Sequence, residues 1–241
     1  MADPNVRHMK WWGWGHEDAS FSDADKPKLW PYLENELGSQ DCSPIPPVKF
    51  EEVTLPIAKE NRPLLEALKN ALVDDQISTD KKDRLIHAAG KAFRDLLRLR
   101  RGQVDYAPDL VVYPASEDEV VAIVNAANEH DAVIIPFGGG TNIAGCLEPH
   151  DKAGRFVISL DMCRMYRVLE VDECSLTARM EAGVYGPHME EQLEKYGVTL
   201  GHFPDSFIHS TLGGWVATRS AGMQSDKYGK IEDMVISLRM V

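Results

Sequence analysis

Cysteine is scarce. The four thiols, Cys42, Cys146, Cys163 and Cys174, form no Cys-x-x-Cys pair and have no histidine at zinc-finger spacing, which excludes a disulfide framework and a structural zinc module. They read as free thiols in a reducing compartment. Basic residues are also in deficit: 26 Lys and Arg against 38 Asp and Glu leave a net charge of −12, which repels phosphate backbones and anionic lipid, so nucleic acid is excluded as a partner. No run approaches the ~18 consecutive apolar residues of a membrane span, and the opening MADPNVRHMKWW lacks the apolar core of a signal peptide. A soluble, cytoplasmic chain is expected. There is no Gly-x-Ser-x-Gly elbow and no His-Glu-x-x-His, and the eight histidines form no close pair on one helix face. They read as solvated or structural, and no metal site is expected; His202 alone stands in a ligand-like segment.

Four of the five Trp residues and Pro44, Pro46 and Pro47 fall within residues 1–60, which predicts an extended leader held by aromatic anchors. Trp11, Trp12 and Trp14 suit anchoring better than stacking on a ligand, because each ring can bury ~200 Å². Apolar residues at helical spacing predict amphipathic helices over 62–72 and 82–99, the second with Leu85, Ala89, Phe93 and Leu96 on its stripe beside Ile86 and Leu97. Arg94, Arg98, Arg100 and Arg101 crowd its end and read as partners of the helix macrodipole, with an anion site as the alternative.

Leu110 to Tyr113 reads as a short buried strand ended by Pro114. Ser116 and Glu119 form a capping box opening a helix with the stripe Val120, Val121, Val124 and Ala127. A second strand over 132–136 completes a βαβ-like unit and delivers the chain into Pro136-Phe137-Gly138-Gly139-Gly140-Thr141-Asn142. Glycines there let successive N–H groups face one concavity and hold a pyrophosphate; the alternative is a plain strand-end turn. Ile143 stands where a Rossmann fingerprint needs its third Gly, and no Gly-Lys-Ser/Thr follows. Strands over 156–160, 166–172 and 175–182 and a helix over 187–196 follow, so the pattern favours an α+β fold with a strand-rich second lobe over a doubly wound sheet. The stretches 201–206 and 210–222, rich in Gly, Ser and Thr, suit a backbone passing close along a flat ligand, or tight packing between helix and sheet; a core helix is not expected there.

Taken together, Pro108-Asp109-Leu110-Val111-Val112, the Ser116 to Val121 helix start, Ile135 to Thr141, Gly201 to Ser206 and Gly213-Gly214-Trp215 resemble the FAD-binding domain of the vanillyl-alcohol oxidase/para-cresol methylhydroxylase superfamily. Lys10-Trp11-Trp12-Gly13-Trp14-Gly15, Thr218 to Met223 and Tyr228 to Val235 are similar to the alkyldihydroxyacetonephosphate synthase family within it. The resemblance implies a helical leader over 1–104 and a two-lobed FAD domain of the para-cresol methylhydroxylase type over 105–241. Pro136, Gly138, Gly139, Gly140, Thr141 and Asn142 would hold the pyrophosphate. Pro204, Asp205, Ser206, Ser210 and Thr211 would run along the cofactor near the flavin, with Thr218, Arg219, Ser220 and Ala221 as a further contact segment. Phe137 occupies the place where some relatives carry a flavin-linking His, so FAD is expected to bind non-covalently.

The implied reaction exchanges the acyl group of an acyl-dihydroxyacetone phosphate for a fatty alcohol. A D-2-hydroxyacid dehydrogenase-like oxidation and a non-catalytic flavin-binding fragment are the alternatives. A small-molecule or lipid-like substrate, peripheral membrane contact and a homodimer are compatible with the resemblance. The segment Ile236 to Val241 reads as a strand in progress, and the family continues beyond this point with its catalytic residues, so the chain is expected to be the first part of a longer enzyme and no catalytic residue is assigned.

Overall fold

The computed structural model describes residues 8–19, 26–38, 45–151 and 153–241; Cys42 and Pro44 lie outside them. The chain first forms α1 (Leu29–Leu37), which buries no residue. Then come α2 (Arg62–Lys69), β1 (Ile77–Ser78), α3 (Lys81–Ile86), α4 (Phe93–Arg100), β2 (Leu110–Val112), α5 (Glu117–Glu129), β3 (Val133–Phe137) and β4 (Val157–Asp161). The second lobe carries β5 (Val168–Asp172), β6 (Thr177–Met180), α6 (Gly186–Glu194), α7 (Leu212–Thr218), α8 (Ser225–Tyr228) and α9 (Ile231–Met234).

The first lobe is a four-stranded sheet in the order β1-β2-β4-β3. β4 lies parallel to both neighbours, with Leu110 opposite Ile158 on one side and Val133 opposite Val157 on the other, while β1 caps the edge antiparallel to β2. The strand expected over 156–160 therefore does not belong to the second lobe. It is wedged between the two strands of the βαβ unit, and all five of its residues are buried, as a strand covered on both faces requires. Side chains alternate across the sheet. Leu110, Val112, Ile158 and Leu160 meet Leu64 and Leu68 of α2 and Val120, Ile123, Ala126 and Ala127 of α5, whereas Asp161 faces the opposite side, toward the residue after α3. The second lobe centres on Val184, Met189, Leu193, Trp215 and Ile231 beneath the antiparallel β5–β6 pair. A third cluster joins Trp11 of the leader to Val53, Leu85 and Leu99.

Several local expectations need correcting. The helix foreseen over 82–99 is two helices, because at Gly90 the backbone presses on the carbonyl of Asn142 with no room for a Cβ, and Lys91 N donates to that oxygen at 2.8 Å. Phe93 is consequently 83% exposed instead of lying on a core stripe. At the start of α5 only half of the capping box forms: Ser116 Oγ accepts from Glu119 N, but the Glu119 carboxylate accepts from Ala115 N at 2.7 Å and from the buried Gln76 amide at 2.6 Å. Ile123, not Val121, completes the buried stripe of that helix. The glycine-rich stretch after Ser210 does contain a helix, α7, whose Trp215 is core, so small residues here serve close packing. Ile236 to Val241 pairs with no strand among the described residues and is largely exposed.

Candidate functional site

β3 ends at Phe137, whose carbonyl accepts from Met162 N at 3.0 Å, and the chain then enters the glycine turn from the outer strand of the sheet. Pro136 is exposed on that free edge, the place where a missing N–H is tolerated. Three separate segments clasp the turn. Tyr185 of the second lobe donates its hydroxyl to Gly138 O at 3.2 Å. The 209–211 segment lies directly against Gly139, where a Cβ would run into the His209 carbonyl and stand 2.9 Å from Ser210 Cα. Lys91 holds Asn142 O, while the Asn142 side chain accepts from Ala144 N and Cys146 N at 2.9 and 3.0 Å. Glycine is thus required by the junction of the lobes, whatever the turn binds. Among the described residues, none of the backbone N–H groups of Gly138, Gly139, Gly140 and Thr141 donates a hydrogen bond. Successive unpaired N–H groups in a turn are the donor set from which anion-binding nests are built.

The second segment is brought to the first. Pro204 is buried, Asp205 exposed and Ser206 half-buried, and a 3₁₀ turn over Phe207–His209 leads to Ser210. Ser210 Oγ accepts from Trp215 Nε1 at 2.7 Å and donates to Ser206 O at 2.8 Å, while Ser206 Oγ donates to it at 3.1 Å. Thr211 caps α7 and pairs its backbone with Tyr185. The hydroxyls of Ser210 and Thr211 are therefore engaged within the protein. Thr218, Arg219, Ser220 and Ala221 lie apart from the turn, beside His202 and Phe203: Met223 N donates to Phe203 O at 2.9 Å, Ser220 Oγ meets His202 Nε2 at 2.7 Å, and Arg219 pairs with Glu232 at 3.0 Å. His202 is buried against the Trp215 ring, burial lowers its pKa, and its Nδ1 has no partner among the described residues.

One cluster had no signal in residue spacing. Asp161, fully buried at the end of β4, receives His87 Nε2 at 2.8 Å and His8 Nε2 at 3.2 Å on one oxygen, and Cys163 N at 2.8 Å on the other. His87 Nδ1 lies 2.7 Å from Asp83 O, and the His87 ring rests on Phe137 with centroids 4.1 Å apart. Burial works against the charge on both His8 and Asp161, but their mutual attraction and hydrogen bonds prevail: His8 is raised above its usual pKa and Asp161 held well below the carboxylate range. Burial pushes the Cys163 thiol far upward. Donor atoms of His8, Asp161 and Cys163 come within 4.8 Å of one another. These residues come from three distant stretches of chain, and only a charged residue ending the apolar run Val157 to Leu160 hinted at them. The leader also reaches the 209 segment, with the His16 and Trp14 rings 5.5 and 6.4 Å from His209. At the end of α4, Arg98 pairs with Glu148 at 2.8 Å and Asp105 at 3.4 Å, so its own charge is compensated within the protein.

Residues 108–241 match the family described as FAD binding domain. The chain is 42% identical to the alkyldihydroxyacetonephosphate synthase of Dictyostelium discoideum, over 98% of this chain and 42% of that protein. It is 45% identical to the alkyldihydroxyacetonephosphate synthase of Trypanosoma brucei brucei, over 85% of this chain and 34% of that protein. A solved structure of alkyldihydroxyacetonephosphate synthase superposes with a TM-score of 0.87 at 42% identity, covering 94% of this chain and 46% of that one. The chain spans less than half the length of these relatives. Among the described residues, no helix is long and apolar enough to cross a membrane.

Proposed function

The chain belongs to the FAD binding domain family, and from that premise we propose that its glycine turn holds the pyrophosphate of a non-covalently bound FAD in an enzyme that makes alkyl-dihydroxyacetone phosphate. The observation that carries the reading is the row of unpaired N–H groups from Gly138 to Thr141, clasped between Tyr185, the 209–211 segment and Lys91. Such a row fits a diphosphate, whose oxygens accept several N–H bonds at once. Gly138 to Asn142 bind. His209 to Thr211 set one wall through their backbone, since the Ser210 and Thr211 hydroxyls are engaged elsewhere, and Pro204, Asp205 and Ser206 continue that wall. Pro136 brings the turn off the sheet edge, and Thr218 to Ala221 form a second, separate contact segment for the cofactor. When bound, the flavin supplies the reactive ring; the protein supplies binding, orientation and exclusion of water.

The test is the visible absorption spectrum of the intact protein before and after denaturation. Flavin bands that pass into the supernatant as free FAD support the reading, whereas flavin retained on the chain contradicts the non-covalent mode and a colourless protein contradicts the site. Incorporation of a labelled fatty alcohol into acyl-dihydroxyacetone phosphate then checks the reaction. Dye reduction by a D-2-hydroxy acid without alkyl transfer would replace it with oxidation.

A further inference from the structure

We propose that Lys91 is the cation that neutralises the diphosphate held by the glycine turn, an inference that rests on the FAD reading above. Lys91 stands just after α3 and is only 7% exposed. Its ammonium donates to Lys10 O at 2.8 Å, and no carboxylate among the described residues lies within ion-pair distance of it. An ammonium has three donors, and one carbonyl satisfies one of them. The charge that acts on it is a second cation, Lys10, whose own Nζ is turned to Ala19 O at 2.7 Å.

Position ties this charge to the turn. Lys91 N is bonded to Asn142 O, the last residue of the turn, and Gly90 presses on the same carbonyl. At the other end, His209 supplies the carbonyl against Gly139, and the Lys91 charge is close enough to depress the His209 pKa, behind burial and His16. The backbone of Lys91 is thus fixed to one end of the turn, and its charge is felt at His209, whose carbonyl lies against the other. A buried cation without a counter-ion is costly unless an anion arrives to pair with it. Burial, with Lys10 beside it, pulls Lys91 down to about 8, the mark of an ammonium that lacks a negative partner. A diphosphate supplies one and accepts the free donors, as lysine does for phosphates elsewhere.

The experiment titrates the apoprotein of the intact enzyme with FAD and with riboflavin, which has no phosphate, following flavin fluorescence in wild type, Lys91→Met and Lys91→Arg. Lys91→Met is expected to weaken FAD about tenfold to a hundredfold, the loss of one charge-assisted contact, and to leave riboflavin affinity unchanged. Lys91→Arg, which keeps the charge, is expected to recover most of the FAD affinity. The Lys91→Met apoprotein should melt no lower than wild type, since it has shed an uncompensated charge. Equal FAD affinity in wild type and Lys91→Met overturns the proposal, and so does a variant that melts early and loses both flavins alike. Wild type that binds riboflavin as tightly as FAD would instead refute the diphosphate site itself.

Discussion

Replacing Asp161 by Asn removes one charge from the fully buried junction of leader, sheet and glycine turn while keeping the side chain's shape. Two imidazoles then face an amide in place of a carboxylate, at 2.8 and 3.2 Å. Breaking a buried ion pair by removing one partner costs roughly 3–5 kcal/mol. At about 2–4 °C per kcal/mol for a chain of this size, the melting temperature near pH 6 should fall by about 6–20 °C. The pH dependence gives a sharper signature. His8 is raised above 6.5 in the folded protein, because the attraction of Asp161 outweighs the burial that opposes it, so its contribution is complete below 6.5 and lost as pH rises through the raised value. Asp161 is depressed below 3.8, so its contribution is present above 3.8 and lost only as pH falls through the depressed value. Wild type should therefore lose stability as pH rises from 6.5 through the raised value of His8, and Asp161→Asn should lose that slope. Melting curves by circular dichroism from pH 5 to 9 measure both. A variant with unchanged melting temperature and an unchanged loss of stability above pH 6.5 would refute the claim that this cluster ties His8 to β4.

Gly139→Ala places a methyl group on the His209 carbonyl; an overpacking cost of about 3 kcal/mol predicts a fall of about 6–12 °C in melting temperature together with lost flavin, and wild-type flavin content would contradict it. Ser210→Ala leaves the buried Trp215 Nε1 without its acceptor, an expected loss of about 1–3 kcal/mol, read from the urea midpoint; no shift would mean that the indole finds another partner. Trp11→Ala empties the cluster of Val53, Leu85 and Leu99 and should cost roughly 3–5 kcal/mol, seen as a lower urea midpoint, whereas a freely detachable leader would show no change.

Local periodicity made α2, α5, α6, β2, β3 and the β5–β6 hairpin legible, since each carries its own apolar pattern. What sequence reading missed has a non-local cause. Val157 to Leu160 is a recognisable strand, but nothing in those residues says that it inserts between β2 and β3; that follows from burial on both faces within the completed sheet. The break at Gly90 is set by Asn142, some fifty residues away, and helical spacing across 82–99 could not reveal it. The glycine turn and the stretches 201–206 and 210–222 were legible as ligand-like, while the reason Gly139 admits no side chain, the carbonyl of His209 between those two stretches, needed their meeting. His8, His87 and Asp161 are unremarkable one at a time, and nothing in the sequence around Lys91 says that its side chain is buried beside the leader.

The wedged position of β4 also dictates an order of events during synthesis. β2 emerges from the ribosome with a completely buried run, Leu110-Val111-Val112, as its future, yet its parallel partner Ile158 follows 48 residues later (158 − 110). At about 5–20 residues per second, that leaves β2 without its central neighbour for about 2–10 s. Over that interval only β1, already made, can shield one of its edges, through Ile77 and Ser78. The two-residue strand ahead of the sheet thus acts as a guard for a sticky edge in the nascent chain. Lengthening the stretch between the glycine turn and β4 would prolong the exposure and raise aggregation during expression without altering the finished fold.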